Sequence, residues 1–255
     1  MVLTVDIGNS NIVIGGYLGK TLKFVSRITT NSTQTEDEYA VFINDLLKLN
    51  KIIDYNFSGA IISSVVPKLT PVIKVAVHKI TGCNALTVSP GIKTGINIKT
   101  DDPSVLGADF VSASAGVLAN YKLPAIVVDM GTATKVFALL EDGVFIGTSI
   151  MPGVNISLDA LASKTAQLPH IGVDGNPPVI GTNTMDSMRS GIIYGSSSMI
   201  DGMIDKYKDE LGRSDVTVIA TGGIASSIIK YCKHDILLDE MLILKGLISI
   251  YRRNS

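Results

Sequence analysis

One short phrase occurs twice in this chain, and it limits what the chain can fold into. Val2–Val5 is an apolar run that ends in Asp6; the small polar turn Gly8-Asn9-Ser10-Asn11 follows, and then a second apolar run, Ile12–Ile14. Ala125–Val128 is again an apolar run, ending in Asp129, with Gly131, Thr132 and Thr134 before the apolar Val136 and Phe137. Val5-Asp6-x-Gly8 and Val128-Asp129-x-Gly131 superpose at an offset of 123 residues, close to half of the 255-residue chain. Each copy reads as strand, tight turn, strand. Two such hairpins half a chain apart point to an internal duplication.

The residue types in these turns suggest a chemistry. Gly8 bares its backbone and Asn9 tolerates unusual backbone angles. Successive N–H groups in such a turn make a concave nest for an anion such as phosphate. Asp6, at the strand end, faces the same place. A carboxylate repels phosphate, but it suits the Mg²⁺ and water that travel with a nucleotide. Two duplicated halves that each offer such a hairpin to a shared cleft suit phosphoryl transfer, which needs positioning and charge neutralisation more than covalent catalysis. Gly15–Thr21 looks like a phosphate-binding P-loop, but Ile14 stands where the motif needs its first glycine, and the segment joins two strands. Lys20 then reads as a solvated hairpin lysine.

Composition removes several other classes of function. A formal net charge of −1 leaves no basic footprint for nucleic acid. With 46 % apolar and 18 % charged residues the chain is expected to be globular. The longest apolar runs fall well short of the roughly 18 residues of a membrane span. Asp6 interrupts the place where a signal peptide would be apolar, so a soluble cytoplasmic protein is expected. Cys83 and Cys232 lie far apart and outside any zinc spacing, and read as reduced thiols. His78, His170 and His234 form no metal spacing and read as surface or helix-end residues.

The remaining pattern repeats the same scheme in each half. Strands are expected at 2–7, 11–17 and 22–29, then a helix at 35–49 with Thr35 and Glu38 at capping-box spacing and Tyr39, Phe42, Ile43, Leu46 and Leu47 at helical period. A strand at 59–65, a helix at 68–81 opened by Pro67, a short strand at 84–88 and a helix at 104–120 complete the first half. The second half shows strands at 124–129, 133–140 and 143–150, a helix at 154–166 and a loop at 167–181. A long helix at 183–211, interrupted by Gly191 and Gly195, follows. A strand at 216–220, the Gly222-Gly223 turn, a helix, a strand near 235–238 and a last helix at 241–251 finish the chain. This order describes α/β layers with mixed sheets, the boundary lying within 104–124.

Asp6-Ile7-Gly8-Asn9-Ser10-Asn11, Gly107-Ala108-Asp109, Asp129-Met130-Gly131-Thr132-Ala133-Thr134, Pro152-Gly153, Gly181-Thr182-Asn183-Thr184 and Ala220-Thr221-Gly222-Gly223 occur together and in this order. In this the chain resembles the type III pantothenate kinases of the actin/sugar-kinase/heat-shock ATPase superfamily, nearly end to end, as far as Gly246-Leu247 and Tyr251-Arg252. The resemblance implies two duplicated ribonuclease-H-like domains, 1–115 and 116–255, with five-stranded mixed sheets flanked by helices and a cleft between them. It implies ATP-dependent phosphorylation of pantothenate to 4'-phosphopantothenate, the first step of coenzyme A biosynthesis, by a homodimer that needs Mg²⁺ and K⁺ or NH₄⁺.

Carried over by position, Asp6, Ile7, Gly8, Asn9, Ser10, Asn11, Ile12 and Val13 form the first phosphate-binding hairpin, with Asp6 holding Mg²⁺ through water. Asp109 is the general base, and a helix N-terminus favours its ionised form. Asp129 is the monovalent-cation ligand. Thr132, Gly222 and Gly223 contact ATP. Gly107, Ala108, Asp109, Phe110, Thr184 and Thr100 are the acceptor side. From the residues alone, Asn183 or Thr184 equally reads as a helix cap, and Arg27 as either an anion partner or a solvated strand-end arginine.

Two positions depart from the family's pattern. Phe110 stands where Gly-x-Asp-Arg has its arginine, and Thr100 where Tyr-Asp-x-Pro has its tyrosine. An arginine fork recognises an anionic acceptor and a phenylalanine does not. The kinase reading therefore stands beside two others: a kinase for another small acceptor, and a non-catalytic relative that binds nucleotide or a partner and regulates. The three retained aspartates, Asp6, Asp109 and Asp129, favour catalysis.

Overall fold

The computed structural model describes residues 1–53 and 56–255. It contains two compact units: Met1–Ile96 with Asp101–Asn120 and Leu242–Ser255, and Asn97–Thr100 with Tyr121–Met241.

The first unit is built on the strands β1 (Val2–Ile7), β2 (Asn11–Leu18), β3 (Thr21–Thr29), β4 (Gly59–Ser64) and β5 (Leu86–Thr87), in the order β3-β2-β1-β4-β5. The β1–β2 and β2–β3 pairs are antiparallel; β1–β4 and β4–β5 are parallel. Leu3, Val5 and Ile7 alternate onto one face of β1 and are fully buried, together with Ile12, Ile14 and Ile62. That face packs on α1 (Glu36–Leu49) and α2 (Thr70–Thr81) through Tyr39, Ile43, Leu47, Ile73 and Val77.

Helix α1 starts as its sequence expects. The Glu38 N–H donates to the Thr35 hydroxyl and the Thr35 N–H donates to the Glu38 carboxylate, a reciprocal cap worth roughly 1 kcal/mol. Phe42, expected on the apolar stripe, is 42 % exposed. Helix α2 begins at Thr70, with Pro71 rather than Pro67 in its first turn, where a missing N–H costs nothing.

The other face of the first sheet carries Thr4 and Asp6. It is covered by α3 (Ala108–Asn120) and α7 (Leu242–Asn254), which pack on each other. Small residues, Ala113, Ser114, Ala115 and Gly116, let α3 approach closely, and the Gly246 backbone of α7 lies against the Ser112 carbonyl. This docking places the C-terminal helix in the first compact unit, away from the 116–255 half to which chain order assigns it. The expected helix at 104–120 is two pieces, a 3₁₀ turn at Pro103–Val105 and then α3, parted by Leu106-Gly107.

The second unit repeats the topology. Strands β7 (Ala125–Met130), β8 (Ala133–Leu139), β9 (Val144–Pro152), β10 (Thr217–Thr221) and β11 (Leu237–Leu238) run in the order β9-β8-β7-β10-β11, with the same antiparallel and parallel pairs. A sixth strand, β6 (Asn97–Ile98), adds to β9, so this sheet is not five-stranded. Ile126, Val128, Met130 and Val136 form the core with α5 (Thr184–Leu211) and α6 (Ala225–Ile228), and α4 (Val154–Lys164) contributes Val154. Helix α5 runs unbroken through Gly191 and Gly195. Glycine costs a helix only about 1 kcal/mol each, less than the burial of Met188, Ile193, Ile200 and Ile204 provides.

Candidate active site

In the first unit Asp6, half-buried, is the last residue but one of β1, and the turn beyond Ile7 is fixed at three points. The Gly8 N–H donates to the Asn11 carbonyl at 2.9 Å. Thr30, just past β3, gives its hydroxyl to the Gly8 carbonyl at 2.7 Å and its N–H to the Ser10 carbonyl at 3.0 Å. Asn9, Ser10 and Asn11 are left exposed at the tip. Ile7 and Ile12, carried over as nucleotide contacts, are fully buried in the core. Their alternation puts them on the face away from Asp6, so they support the turn from below. Val13 lies directly opposite Asp6 on β2 and Ser63 beside it on β4. The Ser63 hydroxyl is buried and has no hydrogen-bond partner among the described residues. A carboxylate beside an unsatisfied hydroxyl fits a hydrated hard cation such as Mg²⁺.

Asp109 sits in the first turn of α3. Its Oδ1 accepts the Phe110 N–H at 2.9 Å, and a Cβ at Gly107 would overlap that oxygen, so the glycine makes room for the carboxylate. Phe110 is only 8 % exposed and packs inside the unit. Thr100 follows β6 in the second unit, its hydroxyl buried and without a partner among the described residues.

The second hairpin repeats the first with one residue fewer in its loop. Met130 pairs with Thr134, and the Gly131 N–H reaches the Ala133 carbonyl at 3.1 Å. Thr132 is exposed at the tip. The shorter loop places Lys135 directly opposite Asp129. The Lys135 Nζ lies 2.6 Å from Asp129 Oδ2, and the two side chains are 13 % and 10 % exposed. This ammonium occupies one oxygen of the carboxylate that the family resemblance gives to K⁺ or NH₄⁺, and a second cation on the same largely buried group would meet its charge, so the residues here do not fit a free monovalent cation.

Gly222 stands at φ +96° with its backbone against the Met130 carbonyl, where a side chain would overlap. It thus has a packing reason of its own. Gly223 is exposed beside it.

Asn183, not Thr184, caps α5: its side chain accepts the Asp186 N–H at 2.9 Å. Thr184 is exposed and lines a groove of about 820 Å³ with Leu161, Leu168, Met188 and Ile192. Arg27 is exposed on β3, opposite Val13. Among the described residues no group of three or more His, Cys, Asp or Glu is placed to hold a metal, and no helix is long and apolar enough to cross a membrane.

Sequence reasoning missed Thr30 and Lys135. Both carried a signal. Thr30 ends the third strand of the meander, and the three-residue loop at 131–133 sets the register that pairs Lys135 with Asp129.

Solved structures share the fold. A Campylobacter jejuni protein named for the Baf family of transcriptional activators matches with a TM-score of 0.60 at 19 % identity, over 99 % of this chain and 98 % of its own. A Sinorhizobium meliloti protein named as a 2-dehydro-3-deoxygalactonokinase matches at 0.58 and 13 %, over 99 % and 96 %. The activator of the 2-hydroxyisocaproyl-CoA dehydratase from Clostridium difficile, solved with ADPNP, matches at 0.56 and 11 %, over 98 % and 93 %. At such identities the likeness is one of fold, the actin/sugar-kinase type. The model of the family described as type III pantothenate kinase matches residues 2–206, and the chain belongs to that family.

Proposed function

We propose that this protein transfers the γ-phosphoryl group of ATP to the hydroxyl of pantothenate, giving 4'-phosphopantothenate and ADP. The observation that carries this reading is Asp109: a carboxylate in the first turn of α3 that accepts the Phe110 N–H, with Gly107 clearing space for it, in a chain of this family. Asp109 accepts the hydroxyl proton as the acceptor oxygen attacks the γ-phosphorus and the bond to ADP breaks. The turn at Gly8–Asn11, exposed at Asn9, Ser10 and Asn11, and the exposed tip at Thr132 hold the phosphates through backbone and small polar groups. Asp6 holds Mg²⁺ through water, and the ion neutralises charge on the transferring phosphoryl group. The exposed apolar side chains Ile150, Ile156, Leu161, Val179, Ile180 and Met185 on the second unit support a homodimer.

The test is ADP release coupled to pantothenate, ATP and Mg²⁺. Asp109→Asn is expected to keep ATP binding and to lower turnover by roughly 10²–10⁴-fold; unchanged turnover removes Asp109 from the mechanism. One observation favours a different acceptor class. Phe110 is buried where the family pattern has an arginine, and a missing charge-assisted hydrogen bond costs about 1.5–3 kcal/mol. An uncharged amide of pantothenate tests this in the same assay. If it is phosphorylated better than the free acid, the acceptor is a neutral alcohol.

A further inference from the structure

The carboxylate of Asp129 stands beside a turn proposed to meet a triphosphate. Left unneutralised, it would repel that ligand. The structure supplies the neutralising charge from within the chain. Lys135 lies directly opposite Asp129 in the β7–β8 register, the position at which cross-strand side chains meet without rearrangement. Its Nζ is 2.6 Å from Asp129 Oδ2, and both side chains are largely removed from water. A second cation on the same carboxylate would be held beside the ammonium with little solvent to screen the repulsion. A tethered ammonium also has no dissociation constant to satisfy, so its occupancy does not depend on the salt outside.

We infer that Lys135 is the monovalent cation of this site: its ammonium takes the place of K⁺ or NH₄⁺, and the protein binds nucleotide and works without either. This rests on the kinase reading only for its catalytic part; the ion pair concerns the free protein as well. The chemistry is a permanent ion pair within the hairpin, with no bond made or broken.

The experiment compares KCl with choline chloride at equal ionic strength, using the full chain. Three quantities are read: the melting temperature without nucleotide, the affinity for Mg²⁺–ATP by calorimetry, and ADP release. The wild-type protein is expected to give the same melting temperature in both salts, and an affinity and rate within about twofold, a difference below 0.5 kcal/mol. Lys135→Thr removes the ammonium and leaves Asp129. It is expected to melt lower in choline chloride and to regain melting temperature and ATP affinity in KCl, by roughly tenfold in affinity. A wild-type melting temperature that rises specifically with K⁺ overturns the inference, as does a Lys135→Thr variant that folds and is indifferent to K⁺. If Lys135→Thr does not fold in either salt, the wild-type comparison decides alone. Wild-type protein that ignores K⁺ in melting but binds no ATP in either salt overturns the kinase reading and leaves the built-in cation standing.

Discussion

The two hairpins share an acid, a turn and a sheet position, and differ in what faces the acid. Across the first sheet, one row on one face runs Arg27, Val13, Asp6, Ser63. The equivalent row across the second sheet runs Ile150, Lys135, Asp129, Thr221. Asp6 is half-buried and lies opposite a valine; the basic residue of its row, Arg27, is exposed and one strand further out. Asp129 is 7 % exposed, lies opposite a lysine and is tied to it. The two hairpins share the backbone device and differ in the residue that faces the acid across the strand pair. A half-buried carboxylate with no lysine directly opposite it on the neighbouring strand suits a hydrated metal. A carboxylate sealed against an ammonium is already neutralised and chiefly fixes local structure.

The same substitution made in both hairpins should therefore give opposite kinds of damage. Asp129→Asn leaves the Lys135 ammonium largely buried without its counter-charge. Breaking such a pair from one side costs roughly 3–5 kcal/mol, to be read in chemical unfolding. Asp6→Asn is expected to cost less than this in the same measurement, since no lysine lies directly opposite it, and to lower Mg²⁺-dependent turnover roughly 10–100-fold. Equal loss of stability in the two variants would break the comparison.

The next difference lies where the third strand of each meander closes over the turn. Thr30 and Gly153 stand at the same offset as the two aspartates. Thr30 reaches the turn with a hydroxyl, whereas Gly153 brings bare backbone against the Thr132 carbonyl, where a Cβ would overlap. Gly153→Ala forces the second turn and the start of α4 apart. Its expected cost is about 1–3 kcal/mol, the usual range for overpacking, with a matching fall in ATP affinity if Thr132 contacts the nucleotide. A silent Gly153→Ala would mean that the second turn is soft.

Much of this was legible in the sequence because the signals are local. The Asp-x-Gly repeat, the capping box at Thr35 and Glu38, and the alternation of Leu3, Val5 and Ile7 each declare their element within a few residues. What was not legible depends on contacts distant in the chain. Nothing near Leu242–Asn254 announces that this helix docks on α3, since its apolar stripe would suit any apolar partner. Phe110 reads as a lost arginine in sequence, and only packing reveals that its ring is buried. The two-residue strand β6 lies below what periodicity can detect. The continuity of α5 through two glycines is a tertiary override of propensity. The Lys135 pairing is a different case: loop length and register alone set Lys135 opposite Asp129.

The smallest effect separates the two turns most finely. Thr30→Val keeps the side chain's shape and removes only the hydroxyl that donates to the Gly8 carbonyl. The Thr30 N–H bond to the Ser10 carbonyl survives, so the turn keeps one of its two ties to the third strand. The expected loss is about 0.5–1.5 kcal/mol, the net worth of one such hydrogen bond. Amide exchange should show it as faster opening confined to residues 8–11, since a tie this local has no reason to weaken the β1–β2 ladder behind it. Exchange that quickens along the whole of β1 instead would mean the hydroxyl supports the sheet, and the distinction between a side-chain latch in one unit and a backbone latch in the other would be lost.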